Sequence, residues 1–216
     1  MNIVFLLACF TLLMLPTVDA VLNKDNVVVA INCGSHKSYK TPSEIEYSED
    51  TYFKGGVESD LGERYSDLWP DMSDIELYQT ERYTNGEFLT YELPLKLGAE
   101  DGHYVLVLKF SEVYFDAPNR KVFDVTLGSQ TILNNVDIFA AVGKFAPYDE
   151  FVEFDIKQKM LYYKGKAVDS AYLPKKSTVV VKFLRGKYDN PKINAMVLVK
   201  GTLQGMERIL IVRYRL

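Results

Sequence analysis

The chain has 216 residues and a formal net charge of −4, with 25 Lys and Arg against 29 Asp and Glu. This mildly acidic balance gives no reason to expect a nucleic acid partner, which would call for a strongly basic surface. The length corresponds to one domain with a sizeable core, and we find no internal repeat or linker that would divide it.

Residues 1–20 are predicted to be a signal peptide. Met1 to Pro16 is almost wholly apolar, and Val18-Asp19-Ala20 places small residues where a signal peptidase cuts. We expect cleavage after Ala20; an uncleaved anchor is the alternative, because no Lys or Arg precedes the apolar run. Cys9 would leave with this segment, so Cys33 would have no intrachain partner and is expected to be buried.

Eight short segments of the mature chain are predicted to be β-strands, because they are rich in apolar and aromatic residues and are separated by Gly, Pro, Asn or Asp. They are Val27–Asn32, Phe88–Leu93, His103–Val113, Lys121–Leu127, Phe151–Ile156, Met160–Tyr163, Thr178–Leu184 and Met196–Lys200. The nearly continuous apolar run from Tyr104 to Phe110 is typical of a central strand. Long amphipathic helices are not expected, so the fold class is all-β.

Two polar stretches are predicted to be long loops over the core, Gly34–Asp74 and Phe139–Glu150. Long irregular segments in a compact domain are often functional, since ordering them is costly. We expect no metal or other cofactor, because His36 and His103 stand apart from other ligand residues.

Several aromatic residues lie where strands give way to loops: Tyr83, the pair Tyr114-Phe115, and Tyr188 beside Asp189. A pyranose ring has an apolar face and a hydroxyl rim, so its binding site needs flat aromatic surface edged by carboxylate or amide groups. These residues therefore indicate a sugar-binding surface.

Simpler explanations exist for the same residues. A single Tyr or Phe in a β-rich protein is more often core, although two neighbours on a strand cannot both face one core. Asp189 could be an ordinary turn residue, and Asp137 a cap. Glu81 and Arg82 are most simply a solvated pair.

Six segments together resemble the malectin family of the endoplasmic reticulum. They are Ala30–Gly34, Leu77–Tyr83, Tyr104–Phe115, Lys121–Val125, Asp137–Phe139 and Lys187–Lys192, within a match from Val27 to Thr202. The resemblance implies a jelly-roll, galactose-binding-like β-sandwich with long ligand-binding loops, spanning residues 21–204. It also implies a lectin that recognises glucose-capped (diglucosylated) high-mannose N-glycans on newly made glycoproteins, in glycoprotein quality control.

The resemblance places Tyr83, Tyr114, Phe115 and Asp189 on the sugar-contacting positions of the family. Tyr83 and Phe115 would supply ring faces, Tyr114 would add a hydroxyl, and Asp189 would accept hydrogen bonds from sugar hydroxyls. No step in this scheme breaks a bond, so an enzyme is not expected.

One family position departs from the pattern. Where the family has Ser-Asp followed by an aromatic, this chain has Ser66-Asp67-Leu68-Trp69. Either Trp69 or Tyr65 could supply the missing wall of the site, or the wall could be absent; we expect Trp69 to be the better candidate of the two.

Residues 205–216 are predicted to be a short tail with no transmembrane helix and no retrieval signal. The chain could therefore be a soluble isoform, a secreted relative or a truncated gene product. The expected location is the lumen of the endoplasmic reticulum, with secretion possible. The family is linked to ribophorin I of the oligosaccharyltransferase, which makes that protein a possible partner.

Two other function classes compete with a lectin. A glycoside hydrolase would need two opposed carboxylates, and Asp116, Asp149, Asp189 and Glu112 are available, although no pattern among them specifies a pair. A protein-interaction module would dock a polypeptide on the same aromatic surface.

Overall fold

The computed structural model describes residues 24–95, 101–172 and 178–203. The signal peptide predicted at 1–20 and the tail predicted at 205–216 lie outside the described residues. Within the described ranges no helix is long and apolar enough to cross a bilayer.

The described chain is almost entirely β-structure. The strands in chain order are β1 (Val27–Asn32), β2 (Tyr39–Lys40), β3 (Glu46–Tyr47), β4 (Phe53–Lys54), β5 (Val57–Ser59), β6 (Glu81–Tyr83), β7 (Phe88–Pro94), β8 (Gly102–Phe110), β9 (Val122–Leu127), β10 (Gln130–Val136), β11 (Tyr148–Lys157), β12 (Met160–Tyr163), β13 (Lys166–Tyr172), β14 (Thr178–Tyr188), β15 (Lys192–Ile193) and β16 (Ala195–Lys200). The helices are α1 (Ile138–Val142) and three 3₁₀ turns at Lys24–Asn26, Glu63–Leu68 and Ile75–Tyr78.

Two large antiparallel sheets form the sandwich. One has six strands in the order β1-β16-β8-β11-β12-β13, and the other has five in the order β10-β9-β14-β7-β4. A three-stranded sheet, β15-β6-β5, and the β2-β3 pair complete the described strands. The predicted all-β sandwich is confirmed.

The main core lies between the two large sheets. Alternate residues of facing strands fill it, as the two-residue period of a strand requires. From the six-stranded sheet they include Leu106, Leu108 and Phe110, and from the five-stranded sheet Val181 and Phe183, all fully buried.

A second apolar cluster covers the outer face of the six-stranded sheet. Val105 and Val107 of β8 point into it, opposite in direction to their neighbours in the main core. Trp69, Leu77 and Tyr47 cover them from outside the sheet. This two-sided burial explains why the sequence of β8 is continuously apolar, and it confirms the predicted central strand.

The segment Gly34–Asp74 was predicted to form long loops over the core; most of it is exposed, while Ile45, Tyr47 and Trp69 are buried in the second cluster. It contributes β2 to β5 and a 3₁₀ turn, each too short to give a clear periodic pattern in the sequence. In the second predicted loop, 139–150, α1 begins after Asp137, whose carboxylate caps it by accepting the Ala140 N–H at 2.9 Å. Cys33 is buried in the main core, as predicted.

Candidate functional site

An exposed aromatic pair follows the end of β8. Tyr114 is 68% exposed, and Phe115 is half-buried beside it with the two ring centroids 4.9 Å apart in an edge-on arrangement. The strand ends at Phe110, so the two rings belong to a loop and need not face opposite sides of a sheet. Flat apolar surface is thus presented to solvent at this end of the sandwich.

The loop that carries these rings is held by Glu112. Its side chain is buried, and Oε1 accepts the backbone N–H groups of Tyr114 at 2.8 Å and Phe115 at 3.0 Å. The Glu112 carbonyl also accepts the N–H of Phe145 at 2.9 Å. One buried carboxylate therefore fixes two consecutive residues of the site.

Asp189 lies in a turn directly after β14. Its backbone adopts the left-handed conformation, with φ of 49°. Its carboxylate Oδ2 accepts from Lys121 Nζ at 2.8 Å, and the same ammonium donates to the side-chain oxygen of Asn190 and lies 5.6 Å from the centroid of the Phe115 ring. The structure thus brings Phe115 and Asp189 together around Lys121.

Tyr83 ends β6, next to that turn. It pairs with Lys192 of β15, and the adjacent Thr84 N–H donates to the Pro191 carbonyl at 3.3 Å. Tyr83 is half-buried, so part of the residue is accessible. Backbone pairing therefore places Tyr83 at the same end of the molecule as Asp189.

The two tentative residues, Tyr65 and Trp69, both contact Phe145, with ring centroids 5.4 and 5.6 Å away. Trp69 is only 8% exposed, and its indole N–H donates to the Gly62 carbonyl at 3.0 Å. Tyr65 is 42% exposed. Trp69 belongs to the second apolar cluster, whereas Tyr65 offers more accessible surface. Which of the two supplies the wall of the site stays a prediction.

Phe145 connects these aromatics to the exposed pair. Its backbone bonds to Glu112, and the neighbouring Lys144 Nζ donates to the Tyr114 carbonyl at 3.2 Å. Tyr65 thus contacts Phe145, whose backbone is bonded to the loop that carries Tyr114.

The interpretation of Glu81 and Arg82 as a solvated pair is wrong. Arg82 is buried and pairs with Asp50, while Glu81 pairs with Lys192, whose side chain is 1% exposed. Gly34 packs against the backbone of β6 so closely that a Cβ would lie 2.1 Å from the Glu81 carbonyl oxygen. These contacts fix β6, and with it Tyr83, in the body of the fold.

The carboxylates considered for hydrolysis are mostly used for structure. Glu112 is occupied by the aromatic loop, and Asp149 accepts from Tyr78 Oη and Lys109 Nζ, each at 2.7 Å. Asp189 pairs with Lys121 and Asp116 is exposed. In the described ranges no group of three or more His, Cys, Asp or Glu side chains is placed to hold a metal ion.

Comparison with known proteins identifies a family. The malectin domain family model matches residues 27–196. The chain is 40% identical to Malectin-A of Xenopus laevis over 179 residues, covering 82% of this chain and 61% of that protein. It is 36% identical to Malectin of Homo sapiens over 186 residues, covering 86% and 60% respectively. The chain thus spans less than two thirds of the length of these relatives.

Solved structures share the fold at low identity. The ANX1 ectodomain from Arabidopsis thaliana superposes with a TM-score of 0.63 at 16% identity, over 83% of this chain and 50% of that one. A β-glucuronidase from Bacteroides uniformis gives 0.57 at 15% identity, over 81% of this chain but only 18% of the enzyme. At such identities the likeness concerns the sandwich itself.

Proposed function

The chain belongs to the malectin domain family, and on that premise we propose that it is a lectin that binds glucose-capped, diglucosylated high-mannose N-glycans on newly made glycoproteins. The malectin relatives favour a lectin over an enzyme, and the structural use of Glu112 and Asp149 agrees with that choice.

The observation that carries the proposal is the exposed Tyr114 ring, packed edge-on against Phe115 beside the partly exposed carboxylate of Asp189. Aromatic faces suit the C–H side of glucose, and a carboxylate accepts hydrogen bonds from its hydroxyls. Tyr83 and Tyr65 would extend this surface for further sugar units.

The internal contacts of the site support the same proposal. Glu112 holds the aromatic loop, and Lys121 holds the turn of Asp189, through bonds within the protein. A ligand that binds a preorganised site does not have to order these groups, which favours useful affinity for a small polar molecule.

The proposed location is the endoplasmic reticulum lumen within the secretory pathway, where glucose-capped glycans on new glycoproteins would be encountered. A contact with ribophorin I of the oligosaccharyltransferase is part of this proposal by family membership. Both can be examined by localising the tagged full chain and by co-purification from microsomes.

The direct experiment is calorimetric titration of residues 21–216 with maltose and nigerose. Tyr83→Ala and Phe115→Ala should each weaken binding by about 1–3 kcal/mol through lost burial and stacking. Asp189→Asn should also weaken it, by removing a charged acceptor while suiting the left-handed backbone. A strong chelator should have no effect.

Tyr162→Ala, on β12 and outside the site, is the matched aromatic control and should bind as the parent protein does. Unchanged sugar affinity in all three site variants, with parental circular dichroism spectra, would show that the site lies elsewhere. Binding to a glycoprotein that survives removal of its glycans would instead indicate a polypeptide-docking surface.

A further inference from the structure

The buried ammonium of Lys121 lies between the Phe115 ring and the turn of Asp189 and Asn190, which are the aromatic and the polar parts of the candidate site. We infer that Lys121 is a positioning residue that orients Asp189 and Asn190 into an acceptor and donor pair for two adjacent hydroxyl groups of one sugar. The inference rests on the proposed function and adds to it the feature of the sugar that Asp189 and Asn190 would recognise, namely two adjacent hydroxyl groups.

Burial makes the contacts of Lys121 obligatory. Its side chain is 7% exposed, and a buried ammonium must be paired and hydrogen-bonded to remain charged at low cost. Nζ meets Asp189 Oδ2 at 2.8 Å, Asn190 Oδ1, and the Asn190 carbonyl at 3.4 Å. Each partner belongs to the turn after β14, so the ammonium sets the geometry of that turn.

Asp189 gains a defined free edge from this pairing. One carboxylate oxygen, Oδ2, accepts from the ammonium, and the side chain is 32% exposed. An ionised carboxylate only accepts hydrogen bonds, and its second oxygen keeps that capacity. Asp189 therefore presents an acceptor to a sugar hydroxyl.

Asn190, by contrast, presents a hydrogen-bond donor. An ammonium has no lone pair, so the amide must turn its oxygen to Lys121 and its NH₂ group away. That NH₂ group reaches Asn85 Oδ1 at 3.4 Å at the surface. An amide nitrogen has two N–H donors, so one remains beyond the contact with Asn85.

The consecutive pair matches a vicinal diol. A hydroxyl can donate and accept at once, so one sugar hydroxyl can donate to Asp189 while its neighbour accepts from Asn190. The centroid of the Phe115 ring lies 5.6 Å from the same ammonium. The aromatic ring and the pair of Asp189 and Asn190 therefore both lie next to Lys121. A sugar lacking either adjacent hydroxyl should lose much of its affinity.

The test measures maltose binding by wild-type protein, Lys121→Met, Lys121→Arg and Asn190→Asp, together with mono-deoxy analogues. Lys121→Met should lower affinity by about tenfold or more, and Lys121→Arg, which keeps a donor cation, should retain part of it. Lys182→Met, on β14, is the control for loss of a lysine and should bind normally.

A merely structural lysine is distinguished by coupling. If Lys121 acts through Asp189, adding Lys121→Met to Asp189→Asn should cost much less than it does alone, whereas independent additive losses would overturn the inference. Should Lys121→Met fold poorly, Asn190→Asp decides, since it keeps Oδ1 for Lys121 and replaces the NH₂ donor by a charged oxygen that only accepts. Its affinity should fall about tenfold, and parental affinity would overturn the inference.

The result also separates this inference from the proposed function. If the wild-type protein binds no glucose oligosaccharide, the proposed function fails and the hydroxyl-pair assignment falls with it. If the wild-type protein binds and neither the Lys121 nor the Asn190 variants change affinity or deoxy-sugar discrimination, the lectin proposal stands and only the role of Lys121 is refuted.

Discussion

Replacing Glu112 by Ala tests whether the buried Glu112 carboxylate holds the exposed aromatic pair in place. The substitution removes the single oxygen that accepts the N–H groups of Tyr114 and Phe115, at 2.8 and 3.0 Å. Hydrogen bonds to a charged group contribute about 1.5–3 kcal/mol each, so about 3–6 kcal/mol of favourable interaction is lost. The variant also no longer buries a carboxylate, which offsets several kcal/mol.

The expected net loss is about 1–3 kcal/mol in the free energy of unfolding, measured by urea denaturation followed by circular dichroism. Sugar affinity should fall as well, because binding would then have to order two aromatic side chains at roughly 0.5–1.5 kcal/mol each. Calorimetry with maltose should therefore record a weakening of about 1–3 kcal/mol.

Glu112→Gln is the matched variant, because it keeps one oxygen acceptor in the same place without the charge. It should fall between the parent protein and Glu112→Ala in both stability and affinity. Asp116→Ala removes an exposed carboxylate from the same loop and should leave stability within about 0.5 kcal/mol. Parental stability and affinity in Glu112→Ala would refute the reasoning.

Three further predictions follow from buried side chains. Trp69 emission should be blue in the free protein and unchanged by sugar, and Trp69→Ala should lower the free energy of unfolding by about 3–5 kcal/mol; a saturable, sugar-induced shift would contradict its interior position. Arg82→Met should lower the free energy of unfolding, measured by urea denaturation, by about 3–5 kcal/mol, because it leaves the Asp50 carboxylate buried without its cation. A loss below about 1 kcal/mol would show that water replaces the arginine as the partner of Asp50. Burial raises the pKa of the Cys33 thiol well above its ordinary value, so Ellman's reagent at pH 8 should label native protein far more slowly than urea-unfolded protein; equal rates would place the thiol at the surface.

The parts of the fold that follow from local pattern were predictable. β1 and β12 have the predicted bounds, and β8 and β14 were found with errors only at their ends. Strand β10 was missed because its sequence, Gln130–Val136, mixes polar and apolar residues, with register irregularities where it pairs with β9. Period-2 alternation does not hold across such shifts.

The polar half of the site depends on contacts that no local pattern records. Lys121 was predicted only as the first residue of a strand, and its neighbours Asn119 and Arg120 give no sign of burial, yet its ammonium pairs with a turn almost seventy residues later in the chain. Arg82 offered a usable signal. It and Glu81 are neighbours on a strand and so point to opposite faces, which means that each needed a partner of its own.

The candidate site draws on both layers of the sandwich. The aromatic pair follows β8 of the six-stranded sheet, whereas Lys121 precedes β9 and Asp189 follows β14 in the five-stranded sheet. A sugar that touches both Phe115 and Asp189 would tie one layer to the other at this end. At ten times its dissociation constant such a ligand adds about 1.4 kcal/mol to the free energy of unfolding by mass action. Separation of the two layers would then become rarer, and the amide hydrogens of β8 and β14 would both exchange more slowly in the sugar-bound protein. Sugar binding at one end would thus stabilise the whole domain.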